Sequence, residues 1–316
     1  MSPRACLVAR AVIACAAACA LACSSEPVTK GASSPSPATE PAPEAASEPI
    51  DAAPPPEPVD AAPPPNGTPG CGAAAPSGVR EGLSLPVGGA TRTYTLWVPE
   101  GYSPRRAHRL VVGLHSGGRN GASARPYLDL EGRSEGAVFV YPDAVRGNWD
   151  LNTPYAQNGD FAFFDALVRA LSDTLCLDTT RFFAVGTSAG AYFANQLACG
   201  RGGVLRAIAS HAGGGPFATP GSYDAAGHLI CPTAPVAAAI FHGLADTNVS
   251  PSEGEKAIRH WSFWNGCGAT RAPASPTPCE APQGCTRPVL VCNVPGQGHA
   301  MWSPGRQATW DFFAQF

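Results

Sequence analysis

Short runs of apolar residues alternate along residues 71–316 with longer stretches in which apolar residues recur at helical spacing. Several short runs, such as Leu110–Leu114 and Ala237–Phe241, contain no polar side chain, which is typical of strands covered on both faces. Strands that alternate with helices predict an α/β fold, with a mostly parallel sheet and helices on both its faces. The predicted strands are residues 92–99, 109–115, 137–142, 181–187, 206–211, 236–242 and 287–294, and the predicted helices are 160–175, 189–199, 252–265 and 304–316.

Residues 24–70 differ in composition from the rest of the chain. They consist almost wholly of Pro, Ala, Ser, Glu, Asp and Gly, and Asp-Ala-Ala-Pro-Pro-Pro occurs at 51–56 and again at 60–65. Such a segment has too few apolar side chains to offset the entropy lost on folding, and its proline runs favour extended backbone. We therefore expect a disordered tether over 24–70, followed by a single globular domain over 71–316.

The first 23 residues resemble the signal segment of a bacterial lipoprotein. Arg4 and Arg10 precede an apolar run over residues 11–22, which is short for a membrane span. The run leads to Cys23 in a sequence similar to the lipobox, where cleavage exposes a cysteine that receives lipid. An ordinary secretory signal is the alternative. Both alternatives predict export, and lipid at Cys23 predicts attachment to the outer membrane or cell surface.

The charges are distributed unevenly. The predicted tether holds seven acidic residues and one lysine, whereas residues 71–316 hold 18 basic and 17 acidic residues and so carry a net charge of +1. A nearly neutral domain offers no basic surface for phosphates, and this argues against a nucleic-acid partner.

Twelve cysteines are present, and the first four belong to the signal segment. The remaining eight are an even number, which in an oxidising compartment favours up to four disulfides. A zinc site is the alternative, but none of the eight has Cys-x-x-Cys spacing and no histidine lies near them in a ligand-like pattern. We predict disulfides and no metal or other cofactor, and the pairing stays open. The eight are Cys71, Cys176, Cys199, Cys231, Cys267, Cys279, Cys285 and Cys292.

Residues 186–190, Gly-Thr-Ser-Ala-Gly, have the Gly-x-Ser-x-Gly pattern of a nucleophile elbow. In that motif the chain turns sharply from a strand into a helix, and the glycines leave room beside an exposed serine. The apolar run Phe182–Val185 precedes the motif and a helical stretch follows it. A structural serine in a tight turn is the alternative, but this context favours Ser188 as a nucleophile.

A serine hydroxyl needs a base to remove its proton and an acid to orient that base, and in hydrolases with this elbow the order along the chain is Ser, Asp or Glu, His. Asp246 follows the predicted strand 236–242, and His299 follows the strand 287–294 in a glycine-rich loop. We therefore predict a triad of Ser188, Asp246 and His299. Asp224 has no clear strand before it and Asp143 precedes the serine, so both are weaker candidates.

The other histidines are predicted to have different roles. His115 and His242 each end a strand, and we expect them to brace loops through hydrogen bonds. His108 and His260 are expected at the surface. His211 follows a strand and is a candidate for the lining of the pocket.

The strand 109–115 leads into His115-Ser116-Gly117-Gly118, which resembles the His-Gly-Gly-Gly loops of esterases. The backbone N–H group of Ser116 or Gly117, together with that of Ala189, would form an oxyanion hole for the tetrahedral intermediate. The sequence does not decide between Ser116 and Gly117, and a glycine-rich turn without a role is the alternative.

Many short matches in the same order make much of residues 107–302 similar to one family of secreted esterases. This is the first carbohydrate-esterase family, with its feruloyl esterases, acetylxylan esterases and polyhydroxybutyrate depolymerases. The resemblance implies an α/β-hydrolase fold and a metal-free enzyme that cleaves carboxylic esters with the triad above. The matching segments are Leu110–Gly118, Tyr141-Pro142 with Trp149, Asp160–Leu167, Cys176–Arg181, 186–190, Leu197–Cys199, His242–Val249, Asn265–Cys267 and Gly298-His299.

The resemblance describes the substrate only in outline. Ser116 stands where the family commonly has glycine, and Trp302 lies one residue later than the family's tryptophan. Trp149, Tyr192 and Trp302 are candidate substrate-binding aromatics, although aromatics in such positions are as often part of the core. A feruloyl or related plant-wall ester, cleaved by a monomer, is the first hypothesis, ahead of polyhydroxyalkanoate and acetylated xylan. A peptidase on the same fold and an inactive polymer-binding protein are further alternatives.

Overall fold

The computed structural model describes residues 64–218 and 222–316, in which a ten-stranded sheet is combined with five α-helices. The predicted signal segment with Cys23, and residues 24–63 of the predicted tether, lie outside the described residues. The helices are α1 (Gly121–Leu128), α2 (Gly159–Thr174), α3 (Ala189–Arg201), α4 (Pro251–Trp264) and α5 (Ser303–Phe313). The strands are β1 (Gly78–Val87), β2 (Ala90–Val98), β3 (His108–Leu114), β4 (Val138–Pro142), β5 (Leu177–Thr187), β6 (Ala207–His211), β7 (Ala237–Gly243), β8 (Arg271–Pro273), β9 (Glu280–Pro282) and β10 (Val289–Val294).

The centre of the sheet is parallel and both of its edges are antiparallel. The strand order is β1-β2-β4-β3-β5-β6-β7-β10-β9-β8, and every pair from β4 to β10 in that order is parallel. Antiparallel pairs join β1, β2 and β4 at one edge, and β10, β9 and β8 at the other. The prediction of a mostly parallel sheet is thus confirmed. None of the helices in the described ranges is long and apolar enough to cross a bilayer.

Four elements are missing from the sequence prediction. β1 is an edge strand without a buried residue. An irregularity in its pairing with β2, between Arg80 and Leu83, interrupts the alternation of more and less exposed side chains along it. β8 and β9 have three residues each, too few to show a period. α1 contains Pro126, a residue that counts against a helix in any local prediction. Each of these elements therefore has a weak local signal.

Alternate residues of the central strands point to opposite faces of the sheet, and each face has its own core. On one face, Phe182 and Ala184 of β5 belong to a core that α2, α3 and α4 cover. On the other, Phe183 and Val185 belong to a core that α1 and α5 cover, where Phe183 stacks on Phe313 with ring centroids 4.6 Å apart. With both faces covered, the loops at the carboxyl ends of the parallel strands form the rim at which sites develop in such sheets.

The folded region begins earlier than the predicted boundary at residue 71. Thr68 is buried; its N–H group donates to the Leu177 carbonyl oxygen over 2.9 Å, and the Leu177 N–H group donates to its hydroxyl over 2.8 Å. Gly70 lies so close to Leu175 that an added Cβ would come within 2.3 Å of the Leu175 nitrogen. Residues 64–70 thus pack on the rest of the described chain and do not form part of the predicted tether. Amino-acid composition does not predict this packing, because backbone hydrogen bonds and a closely packed glycine hold the segment in place.

Four disulfides join all eight cysteines of residues 71–316, as predicted. His260 Nε2 lies 3.4 Å from Cys231 Sγ, and together with Cys199 these residues form the potential metal-ligand cluster in the described part of the chain. Because the two sulfurs are bonded to each other, neither is a thiolate ligand. The pairs are Cys71–Cys176, Cys199–Cys231, Cys267–Cys285 and Cys279–Cys292.

Candidate active site

Ser188 lies at the sharp turn between β5 and α3. Its φ and ψ angles are 54° and −121°, a strained conformation for a residue other than glycine. The turn is possible because two glycines flank it: a Cβ on Gly186 would come within 2.2 Å of the Gly190 carbonyl oxygen, and one on Gly190 within 2.3 Å of the Leu114 carbonyl oxygen. The Ser188 N–H group donates to the His211 carbonyl oxygen over 2.9 Å, which ties the turn to β6.

The three side chains of the predicted triad converge at the carboxyl ends of β5, β7 and β10. The Ser188 hydroxyl oxygen lies 3.0 Å from His299 Nε2, and His299 Nδ1 lies 2.7 Å from Asp246 Oδ2. The separations along the chain are 58 and 53 residues, so tertiary folding alone brings the three together. A hydroxyl, an imidazole and a carboxylate in this order can relay a proton.

Asp246 is held as a carboxylate behind His299. Its side chain is completely buried, and its Oδ1 accepts hydrogen bonds of 2.9 Å from the N–H groups of both Asn248 and Val249. Burial by itself raises the pKa of this carboxyl group, but the hydrogen bonds from His299 and the two N–H groups outweigh burial and lower the pKa below its ordinary value. The group therefore stays ionised at neutral pH, and can orient His299 and stabilise its protonated form.

The loop after β3 brings backbone N–H groups to the same place. A Cβ built on Gly117 would lie 3.7 Å from the Ala189 Cβ, so this loop is in contact with the first turn of α3. Gly118 donates to the Gly147 carbonyl oxygen and Arg119 to that of Ser116, whereas no hydrogen bond within residues 64–218 and 222–316 uses the N–H groups of Ser116, Gly117 or Ala189. The Ser116 hydroxyl contacts the Thr187 hydroxyl over 2.7 Å, which fixes the loop against the elbow.

A cavity of about 620 Å³ opens beside Ser188 and His299. One wall is the loop 115–119 and the other is α1, which contributes Ser123, Ala124, Tyr127 and Leu128. The Tyr127 hydroxyl accepts a hydrogen bond of 3.1 Å from the Met301 N–H group, two residues beyond His299. The cavity thus combines a serine hydroxyl, an imidazole and unpaired N–H donors in one space of the size expected for a small-molecule site.

Comparisons with known proteins agree with this arrangement. The chain is 34% identical over 241 residues to feruloyl esterase C of Emericella nidulans, a match that covers 70% of this chain and 83% of that protein. It is 29% identical over 286 residues to feruloyl esterase D of Neurospora crassa, covering 78% and 93% of the two chains.

The chain belongs to the feruloyl esterase family. The prediction of a carboxylic ester hydrolase is thereby confirmed. No family model matches the chain.

Solved structures give the fold of this esterase. An acetyl xylan esterase from Aspergillus awamori superposes with a TM-score of 0.58 at 16% identity, over 75% of this chain and 100% of that one. The feruloyl esterase module of Clostridium thermocellum superposes with a TM-score of 0.51 at 12% identity, over 81% and 90%. At such low identities the likeness concerns the fold alone, and it confirms the predicted α/β-hydrolase fold.

The three aromatics predicted to bind substrate do not line the cavity beside Ser188, as far as its described walls extend. Trp149 is buried beneath the site, where its indole N–H donates to the His115 carbonyl oxygen over 2.9 Å and its ring stacks on Phe193. Trp302 packs against the core beneath α5. The Tyr192 hydroxyl donates to Glu253 over 3.2 Å, and burial together with this carboxylate raises its pKa. Trp149 therefore holds the loop of His115 from within the core.

The remaining histidines follow the prediction only in part. His115 braces its loop, since its Nε2 accepts a hydrogen bond of 3.0 Å from the Ala144 N–H group, and His242 Nε2 lies 3.1 Å from the Val249 carbonyl oxygen. His108 and His260 are buried and not at the surface. His211 is also buried: it contacts Thr309 over 2.9 Å and stacks on Phe241, away from the cavity, and burial lowers its pKa to about 3.

Sequence reasoning missed the wall of the cavity that α1 forms. Arg119 and Tyr127 line the cavity, and neither belongs to a segment that matches the esterase family. A local signal for α1 does exist, because Asn120 and Ser123 form a capping box. The Asn120 side chain accepts a hydrogen bond from the Ser123 N–H group, and the Ser123 hydroxyl oxygen accepts one from the Asn120 N–H group. That signal would have located the helix and with it this wall.

Proposed function

We propose that this esterase releases ferulic or related hydroxycinnamic acids from plant-wall esters through an acyl-enzyme on Ser188. The observation that carries the proposal is the chain of contacts from Ser188 Oγ to His299 Nε2, at 3.0 Å, and from His299 Nδ1 to Asp246 Oδ2, at 2.7 Å. The substrate class is supported by the relatives, which are named feruloyl esterases and are aligned over more than two thirds of this chain.

The reaction begins when Ser188 Oγ attacks the ester carbonyl carbon while its proton passes to His299 Nε2. The carbonyl oxygen becomes an oxyanion, which accepts hydrogen bonds from the N–H group of Ala189 and from that of Ser116 or Gly117. One such donor typically lowers the barrier by about 3–4 kcal/mol. The imidazolium next to Asp246 then donates its proton to the leaving alcohol oxygen as the ester C–O bond breaks.

The second half of the reaction repeats these steps with water. His299 takes a proton from water, whose oxygen attacks the acyl carbon attached to Ser188. A second oxyanion forms in the same hole. As it collapses, the bond to Ser188 Oγ breaks, His299 returns the proton to that oxygen, and the carboxylic acid leaves.

Two measurements test the proposal. A fluorophosphonate probe is expected to label the wild-type enzyme once, at Ser188, and not to label Ser188→Ala; labelling elsewhere would overturn the nucleophile. For the substrate, ferulate release from a feruloylated arabinoside is compared with acetate release from acetylated xylan and with hydroxybutyrate release from its polymer. We expect the highest kcat/KM with the feruloylated sugar, and a higher value with either other substrate contradicts the proposed class.

We also propose that the esterase is exported and carries lipid on Cys23. Four disulfides support export, since such bonds persist in oxidising compartments. The lipobox-like sequence before Cys23 supports the anchor. Cells grown with an alkyne-tagged fatty acid are expected to incorporate it into the wild-type chain but not into Cys23→Ala, and label in the variant would refute the anchor.

A further inference from the structure

The charged groups that line the cavity beside Ser188 are positive and not negative. Among the described residues that line it there is no carboxylate, and the one side chain with a permanent charge is that of Arg119. Asp246 is turned away, buried behind His299. A lone cation on the wall of a cleft with low-dielectric sides attracts anions into it, and the attraction is stronger than on an open surface.

Arg119 is exposed, and its guanidinium group has no partner in the described chain. Neighbouring arginines on and after α1 differ in this respect. Arg125 pairs with Glu131 at 2.8 Å, and Arg133 pairs with Asp129 at 3.0 Å. The guanidinium groups of Arg125 and Arg133 thus form ion pairs within the protein, whereas the N–H donors of the Arg119 guanidinium group are available to a ligand.

A second arginine lies on the adjoining turn. The N–H group of Gly118 donates to the Gly147 carbonyl oxygen over 2.8 Å, which joins the loop of Arg119 to the turn that carries Arg146. Arg146 has a φ angle of 52°, it is exposed, and within residues 64–218 and 222–316 its side chain makes no ion pair or hydrogen bond. Arg146 is not among the residues that line the cavity, so it contributes through its charge alone.

We propose that Arg119 binds a carboxylate carried by the substrate near the ester that Ser188 attacks, while the charge of Arg146 on the adjoining turn adds to the positive potential. A guanidinium group presents two parallel N–H donors that match the two oxygens of a carboxylate. The inference rests on the proposed function: in a plant-wall ester the hydroxycinnamoyl carboxyl group is itself esterified, so the carboxylate would belong to the alcohol portion, as in a polysaccharide with uronic acid units. The enzyme would thus select esters attached to acidic polymer over neutral ones.

Two matched pairs of small esters test this and distinguish the two portions of the substrate. The first pair carries the group on the alcohol portion: 4-acetoxybenzoate, which is anionic, and 4-acetoxybenzamide, which is neutral. The second carries it on the acyl portion: the mono-4-nitrophenyl ester of adipic acid and its terminal amide. For each pair, the anionic-to-neutral ratio of kcat/KM is measured in wild type and variants, so that the intrinsic reactivities of the esters cancel.

In Arg119→Gln we expect the ratio for the first pair to fall about tenfold, because a charge-assisted contact with the carboxylate is lost. Arg119→Lys keeps the positive charge but lacks the planar guanidinium group with its parallel N–H donors, so the same ratio is expected to fall about threefold. About 0.5 M NaCl should lower the wild-type ratio and leave that of Arg119→Gln almost unchanged, because salt screens the attraction. If the ratio falls in Arg119→Gln for the second pair alone, Arg119 binds a carboxylate on the acyl portion. That result overturns the assignment of the carboxylate to the alcohol portion.

Arg169→Gln is the matched control. Arg169 is exposed on α2, it has no ion pair among the described residues, and it does not line the cavity. Its replacement changes the net charge of the enzyme by the same amount, and the ratios should stay within twofold of wild type. Equal ratios in wild type and Arg119→Gln for both pairs overturn the subsite alone, whereas a wild-type enzyme that also releases no ferulate from the feruloylated arabinoside overturns the proposed function. Thermal unfolding followed by circular dichroism checks that each variant is folded.

Discussion

His299→Gln is expected to lower kcat for methyl ferulate by about 10⁶-fold, a loss of the size seen when the base of a serine triad is removed. Glutamine has a similar volume and can still accept a hydrogen bond, but it cannot take up the Ser188 proton or return it to the leaving alcohol. The Ser188 hydroxyl, 3.0 Å from His299 Nε2, would then face the ester as a weak nucleophile. Steady-state release of ferulate, followed by chromatography, measures the effect.

Two further variants make this experiment specific. His228→Gln is the control, because the His228 side chain is 42% exposed and pairs with Asp224 outside the site; its kcat should stay within twofold of wild type. The kcat of the double variant Ser188→Ala/His299→Gln should be no lower than that of the less active single variant, since residues that act as a unit have non-additive effects. Multiplicative losses, or a loss below tenfold in His299→Gln, would mean that the two residues do not share one proton relay.

Removal of the Cys71–Cys176 disulfide is expected to lower the free energy of unfolding by about 4 kcal/mol. This bond closes the longest loop of the four, with a separation of 105 residues along the chain. It also fastens the segment that contains Thr68 to the beginning of β5, which leads to Ser188. Urea unfolding of Cys71→Ser/Cys176→Ser, followed by tryptophan fluorescence, measures the loss.

The matched control for this prediction is Cys267→Ser/Cys285→Ser. That disulfide closes a loop with a separation of only 18 residues and its cysteines are partly exposed, so its removal should cost about 1.5 kcal/mol less. A control that is destabilised as much as the Cys71→Ser/Cys176→Ser variant would argue against loop closure as the source of the stability.

The candidate triad could be located from the sequence because each of its members has a local signature. Ser188 lies between two glycines, and the close approach of Gly190 to Leu114 shows why a side chain is not tolerated there. Asp246 and His299 each follow an apolar strand, and the carboxyl ends of parallel strands meet at one edge of a sheet. Order along the chain and strand polarity are enough to bring these positions to the same rim.

The walls of the site could not be located in the same way. Trp149 was a candidate for the pocket because of its residue type, but it is buried, and burial depends on which distant segment covers a side chain. His108 and His260 were expected at the surface and are buried for the same reason. Tyr127 was overlooked because Pro126 beside it obscures α1, which forms one wall of the cavity.

Local sequence was enough to predict the alternation of strands and helices, the elbow at Ser188, the order of the catalytic candidates and the presence of disulfides. These features depend on backbone preference, residue spacing and covalent order, which act over a few residues. The pairing of the cysteines, the packing of residues 64–70 on the rest of the described chain and the place of Arg119 in the wall of the cavity follow from the three-dimensional fold. Those outcomes depend on contacts between segments far apart in the chain, and no local pattern encodes which of the possible contacts excludes the most water.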